Sequence, residues 1–506
     1  MDEKAMQAVS LHEKINAVLK KAKADNKRTI AFWSTSPRFS PWEWIVPFVR
    51  SLGGDAHFPI FLSTYPADEY CKLDIPHFVI AADQLAQLDF LDCLVAATDD
   101  DEGDFPQNCR VLAVAHASMY NASSAFLHAV YHQTKFDGYL VNCHLANSAH
   151  QIKELWTGLL PRRMFRRKSA RFDVLACGYL RSAALQEELR RSSVPRDAIC
   201  YAPMARDLAR EHGGDRIALY AKKILRTLLT NFPDHRIIFR PAPYAEVDAD
   251  IRELSRSFAS FPQFHVDTPL ERLDTFARSA VLVSDVSHVL FSFAFTTLRP
   301  AISFRPWIRQ KSVTQAPYGA IITDFTSLVA EIRHMLDREE ALLARIREDR
   351  DRVVFPPETA FADFARLLDR FMDDAPAEDL DSWVCVPRNV EEEKGSEEKQ
   401  VYKLLACDQV SWQMLMKFAR HIYTESSILK AACCLKRLDE SGDGPLDELF
   451  RKDFAGCTDK EEIKNFSDIK SYCVSILKKA FLENLRNKNL QGIIALEKMY
   501  ERYCKD

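Results

Sequence analysis

Along residues 1–373, short apolar runs of strand length alternate with stretches whose apolar residues recur every three or four positions. The runs Thr29–Trp33, Phe58–Leu62, Cys93–Ala96, Val111–Ala115 and Tyr139–Asn142 predict strands. Gln7–Lys21, Trp42–Leu52, Ser123–Thr134 and Ala149–Thr157 carry helical spacing. A second series follows, with strands expected at Ile199–Ala202, Arg236–Phe239, Phe264–Val266, Val281–Ser284 and Pro300–Phe304. Its helices are expected at Arg216–Thr230, Asp248–Phe258, Leu270–Arg278 and His288–Thr297, and further helices run from Thr326 to Asp373. Such alternation predicts an α/β fold with parallel sheets covered by helices. Two series in succession predict two Rossmann-type domains, 1–190 and 191–373, with the last helix a candidate to cross back onto the first.

The pattern changes after Asp373. Residues 374–400 are acidic and polar, with no sustained periodicity, and read as a linker. Beyond them strand-like runs vanish, and Val401–Arg420, Ile428–Asp439, Ile469–Asn484 and Leu490–Tyr503 have helical periodicity. Residues 401–506 are therefore expected to be an all-α module, a candidate for binding a protein partner.

Composition narrows the classes. The 506 residues, 47% of them hydrophobic, can bury large cores, and a net charge of −4 opposes a general nucleic-acid binder. The first residues lack the cationic and apolar regions of a signal peptide, and no apolar stretch reaches the ~18 residues of a membrane span. Thirteen cysteines include no CxxC pair, so a zinc site has no support in the sequence, and reduced thiols in a cytoplasmic protein are expected. No motif calls for a cofactor, and the need for a metal ion is left open.

The chemistry concentrates at strand ends. In "VLVSDVSHVLFSFAFTTLRPAISF" (Val281–Phe304), Ser284-Asp285-Val286-Ser287-His288 separates an expected strand from an expected helix. The first turn of a helix carries unpaired amides and partial positive charge, which suits a phosphate. An ordinary Ser or Asp helix cap explains the same residues. Arg240 follows another strand, in Arg240-Pro241-Ala242-Pro243. Tyr201-Ala202-Pro203 and then Arg206 follow a third, and His116 ends a strand of the first series. Gly178-Tyr179-Leu180-Arg181 lies near the boundary between the two series.

In this order the segments resemble the CDP-glycerol glycerophosphotransferases, which build teichoic acids and related capsule or lipopolysaccharide polymers. Ala115-His116-Ala117 is similar to that family's Trp-His-Gly, and Gly178-Tyr179-Leu180-Arg181 to its Gly-Tyr-Pro-Arg. Tyr201-Ala202-Pro203-Met204-Ala205-Arg206 is similar to Tyr-Ala-Pro-Thr-x-Arg. The other counterparts are Arg240-Pro241-Ala242-Pro243 for Arg-Pro-His-Pro and Ser284–His288 for Ser-Asp-Tyr-Ser-Ser. The resemblance covers residues 110–305 or so. It implies a GT-B-like pair of domains, with the nucleotide held mainly by the second.

It further implies a CDP- or CMP-activated donor and a polymer or lipid-linked acceptor. The implied roles are His116 as general base, and Arg206, Arg240, Ser284, Asp285, Ser287 and His288 on the donor phosphates. Tyr201 and Arg181 are further candidates for the site. Ala242 departs from the family, since it replaces a histidine with a side chain that moves no proton. A GT-B glycosyltransferase using a nucleotide sugar, and a non-catalytic assembly protein, therefore stand beside the phosphotransferase as readings.

Three other stretches bear on function. Leu160–Phe172 carries Arg162, Arg163, Arg166, Arg167, Lys168 and Arg171, and reads either as a patch for anionic lipid at the inner face of a membrane or as a solvated face. Thr98–Asp104 is acidic and reads as a solvated loop before a cation site. Trp33–Trp42 follows the first strand, where it could line the acceptor side of a cleft or form a surface loop.

Overall fold

The structure is a computed structural model. It describes residues 11–35, 42–52, 55–66, 75–98, 101–115, 134–145, 166–167, 169–204, 220–241, 249–267, 272–308, 312–376 and 381–388, with scattered positions between 401 and 499. The helices expected at Ser123–Thr134 and Ala149–Thr157 fall outside these residues, Thr134 aside.

The strands are β1 (Arg28–Ser34), β2 (His57–Ser63), β3 (His77–Val79), β4 (Cys93–Ala96), β5 (Arg110–Val114), β6 (Gly138–Val141), β7 (Arg171–Ala176), β8 (Ala198–Tyr201), β9 (Arg236–Phe239), β10 (Phe264–Val266), β11 (Ser279–Ser284), β12 (Ala301–Phe304), β13 (Val313–Ala316), β14 (Gly319–Ile322) and β15 (Trp383–Pro387). They form an eight-stranded sheet of order β15-β7-β6-β5-β4-β1-β2-β3 and a seven-stranded sheet of order β10-β9-β8-β11-β12-β14-β13. Strands β1 to β5 pair in parallel. The second sheet is parallel except where β13 meets β14. Two Rossmann-type α/β sheets in succession are the GT-B-like arrangement expected above.

Each sheet reverses direction beside its first strand. From β1 the chain winds outward to β3, then returns to place β4 on the other side of β1. From β8 it winds to β10, then returns to place β11 beside β8. A crevice opens at such a reversal beyond the carboxyl ends of the strands, because the loops on its two sides run apart.

Each strand of the second sheet alternates its side chains between two faces. Tyr201, Phe239, Val283, Ile302 and Phe304 join one buried cluster with Leu225 and Leu228 of the Lys222–Asn231 helix and Leu328 of the Phe325–Asp337 helix. The Val289–Thr297 helix packs on β11 and β12 but contributes nothing to that cluster, so it covers the opposite face.

By packing, the chain divides into one compact unit of Met1–Tyr120, Leu140–His144 and Leu175–Glu378, and a second of Asn121–Tyr139, Leu145–Val174 and Asp379–Asp506. Within the first unit, the Ala360–Met372 helix lies against the first sheet's Trp42–Ser51 helix. Phe364 stands 4.6 Å from Phe48 and 6.2 Å from Trp44 between ring centroids, and Phe361 is 6.0 Å from Phe48. Arg110 lies 3.8 Å over the Phe371 ring, Arg28 pairs with Asp373 at 2.9 Å, and His57 meets Asp369 at 2.9 Å.

Strands β3, β7, β13, β14 and β15 go beyond the expected set. β15 lies in the stretch read as a linker, where Trp383, Val384 and Val386 are buried. Every assigned position from 401 to 499 is helical.

Candidate functional site

β8, β9 and β11 are adjacent, so three sequence segments meet at their carboxyl ends: Tyr201–Met204, Arg240-Pro241 and Ser284–His288. Register fixes their level, with Tyr201 opposite Phe239 and Val283, and Ser284 opposite Ser303. One residue beyond Phe239, Arg240 stands level with Ser284, and its amide still donates to the carbonyl of Tyr201 at 2.9 Å.

Asp285 bridges the reversal. Its Oδ1 accepts from the Met204 amide beyond β8 at 3.0 Å and from the Val286 amide at 2.8 Å. Ser284 donates its hydroxyl to the carbonyl of Ala202 across the same gap. The backbone carbonyl of Asp285 accepts from the Ser303 hydroxyl, which in turn accepts from Arg305 Nε at 2.9 Å. Ser284 and Asp285 are both buried and hold the loops in place.

The start of the following helix has few amides to spare. The Val289 amide donates to Ser287 Oγ at 3.3 Å and the Leu290 amide to the Ser287 carbonyl at 3.2 Å. Ser287 is half-buried, and His288 is exposed at the helix start. Side chains add positive charge at this end. Arg240 is one: its guanidinium lies 3.4 Å from Asp267 and 4.7 Å over the Phe276 ring, and Phe276 packs edge-on against Phe293 of the Val289–Thr297 helix. Arg206 lies outside the described residues.

Tyr201 does not line the crevice. It is 4% exposed and stacks on Phe239, and burial pushes its phenol above the usual range. The pleat puts it on the face away from Arg240 and Ser284, so its role is in the core.

The first sheet repeats the device. Beyond β4, Asp101 accepts from the Thr98 amide at 2.9 Å, and, across the reversal, from the Thr35 amide at 2.7 Å and hydroxyl at 2.9 Å beyond β1. Within the acidic stretch read as a solvated loop, the Asp101 carboxylate thus turns inward, with Asp101 1% exposed. Desolvation pushes that carboxyl up to about 6, against hydrogen bonds that lower it.

Beside this end lies a small recess lined by Trp44, Ala97, Thr98, Val114, Ala115, Tyr179, Leu180 and Arg181. Arg181 sits at the start of the Leu180–Arg191 helix and forks onto Glu43 at 2.9 and 2.8 Å. Two segments that sequence linked only by resemblance, the one ending in Arg181 and the one leading into His116, therefore share a recess through Arg181 and Ala115. His116 itself, Ala242 and residues 36–41 of the Trp33–Trp42 stretch lie outside the described residues.

The basic patch needs correction. Arg167 is buried and pairs with Asp137 at 2.7 Å, and Arg171 in β7 reaches Asp173 at 3.1 Å. These buried carboxylates require counter-charges, so Arg167 serves the interior and does not face a lipid surface, while Arg171 is half-buried beside Asp173. Arg166 is exposed, and Arg162, Arg163 and Lys168 lie outside the described residues.

Among the described residues no group of three His, Cys, Asp or Glu side chains is arranged to hold a metal ion. Burial pushes the Cys143 and Cys200 thiols up to about 12, which leaves them unreactive. No described helix is long and apolar enough to cross a membrane.

No family model matches the chain. None of the curated proteins compared matches it either. Among solved structures, the chain is similar to a variant of the wall teichoic acid polymerase TagF, at 14% identity and a TM-score of 0.47, over 72% of this chain and 94% of that one. It is also similar to S. aureus MnaA in complex with UDP, at 14% identity and a TM-score of 0.44, over 68% and 97% of the two chains. A glycosyltransferase from Rickettsia africae gives 13% identity and a TM-score of 0.38 over 69% and 99%. At such identities none of the three assigns a donor, an acceptor or a residue role here.

Proposed function

We propose that this chain is a transferase that moves a glycerophosphate unit from a CDP-activated donor to a hydroxyl of a cell-surface polymer or its lipid-linked precursor. The observation that carries the reading is the meeting of three motif-bearing segments at one crevice, where Asp285 ties the loop after β8 to the end of β11. The motif order over residues 110–305 supports the same family.

In this reading the 191–373 domain holds the nucleotide, and an acceptor hydroxyl attacks the distal phosphorus while CMP departs. Phosphoryl transfer of this kind is mostly positioning and charge stabilisation. His116 takes the hydroxyl proton, which an imidazole of ordinary pKa near ~6.5 does well at neutral pH. Arg240 and Arg206 fork onto phosphate oxygens. His288, at the helix start, is the imidazole available where Ala242 offers none.

Ala242 also favours a second reading, a GT-B glycosyltransferase in which a sugar carbon is attacked and the histidine of the phosphotransferases is not required. The test is release of CMP from CDP-glycerol with a lipid-linked acceptor, run beside a panel of nucleotide sugars. The phosphotransferase reading expects turnover with CDP-glycerol and a loss of about 100-fold or more in His116→Ala, in line with general-base contributions. Turnover with nucleotide sugars alone selects the second reading, and none with any activated donor overturns both.

A further inference from the structure

The second sheet carries one tripeptide twice. Phe239-Arg240-Pro241 ends β9, and Phe304-Arg305-Pro306 ends β12. In the strand order β9-β8-β11-β12 these two flank the pair between which the sheet reverses. In both copies the phenylalanine belongs to the same buried cluster. The pleat then turns both arginines to the other face, the one covered by the helix that starts at Val289. In both copies the arginine amide is still held by a neighbouring strand, Arg240 by the Tyr201 carbonyl at 2.9 Å and Arg305 by the Ile322 carbonyl at 2.7 Å. The proline, which has no N–H, ends the ladder in each.

The two arginines differ in what opposes their charge. Arg240 has Asp267 at 3.4 Å. Arg305 donates Nε to Ser303 Oγ at 2.9 Å, and no carboxylate pairs with it among the described residues. That bond belongs to the chain Arg305–Ser303–Asp285, which anchors Arg305 to the carbonyl of the residue that bridges the crevice. The Val286, Val289 and Leu290 amides already have partners, so side-chain charge adds to what the helix start can offer an anion.

Resting on the donor-binding reading above, we infer that Arg305 is the second arm of a diphosphate clamp whose first arm is Arg240. The backbones carrying the two arms stand about 14 Å apart, three strand spacings of the usual sheet. They approach the crevice from opposite sides. Two linked phosphates engage both arms, whereas a single phosphate engages one. The clamp therefore selects nucleoside diphosphate derivatives over monophosphates, and it releases a monophosphate product once the diphosphate bridge is broken. Sequence reading passed over Arg305, because it took Pro300–Phe304 as a strand and stopped there.

The test is calorimetric titration of the full chain with CDP and CMP, comparing wild type with Arg305→Gln and Arg305→Lys. The clamp expects Arg305→Gln to weaken CDP about tenfold or more while CMP changes less than about threefold, with Arg305→Lys between, since it keeps the charge and loses the fork. Equal losses for CDP and CMP would mean a disturbed nucleoside pocket and would overturn the clamp, as would unchanged CDP binding in Arg305→Gln. Either result leaves the donor-binding reading intact. Failure of the wild type to bind CDP, UDP or other nucleoside diphosphates instead removes that reading, and the clamp with it.

Discussion

At the scale of single residues, the same device appears at both reversals. A carboxylate just past a strand end, one residue beyond β11 for Asp285 and five beyond β4 for Asp101, accepts amides from the loop across the gap, Asp285 from Met204 and Asp101 from Thr35. For Asp101 the location has a cost, because burial raises its carboxyl from the ordinary value to about 6. Between about pH 4 and pH 6 the folded chain keeps a proton that the unfolded chain has released, so the contribution of this group to stability falls as pH rises through that interval and is flat above it. Asp101→Asn cannot titrate. Urea unfolding at pH 4, 5, 6 and 7 should therefore show the stability difference, wild type minus variant, declining up to pH 6 and then levelling. A difference that stays constant over the series would mean that Asp101 titrates alike in the folded and unfolded chains.

At the scale of elements, strands that are apolar along their length were legible, and so were the loops that follow them. β1, β4, β5, β8, β9, β11 and β12 all coincide with apolar runs. β7 was hidden because its sequence, Arg-Phe-Asp-Val-Leu-Ala, opens on charge and carries Asp173, which is buried with Arg171 at 3.1 Å. β15 was hidden by acidic neighbours. The Leu180–Arg191 helix escaped notice because much of its buried side is small, Ala183 and Ala184 among it. The site was legible as far as its strand ends. Arg305 shares the Phe-Arg-Pro tripeptide with Arg240, but a three-residue repeat is a weak signal, and only the strand order makes the two counterparts. Gly178 is a comparable case, singled out by motif and explained by packing. A Cβ there would lie 2.2 Å from the Pro356 carbonyl and 2.9 Å from Ala360 Cβ. Gly178→Ala should force these two stretches apart and destabilise the chain by about 1–3 kcal/mol, as overpacking does. Thermal unfolding of the purified variant measures it, and an unchanged midpoint would show that the contact yields.

At the scale of the molecule, the Ala360–Met372 helix follows the second sheet in sequence and packs with the first. Its Phe364 is fully buried among Trp44 and Phe48. Phe364→Ala should lower stability by about 3–5 kcal/mol, the usual loss for deleting a buried ring, and chemical denaturation followed by the fluorescence of the tryptophans would record it. The arrangement also sets an order of events during synthesis. Strands β1 to β6 leave the ribosome before any strand of the second sheet, yet the aromatic side of the Trp42–Ser51 helix waits for a cover that ends at residue 372. At about 5–20 residues per second, the nascent chain carries that greasy surface for on the order of ten seconds or more, an interval in which a holdase chaperone has something to bind.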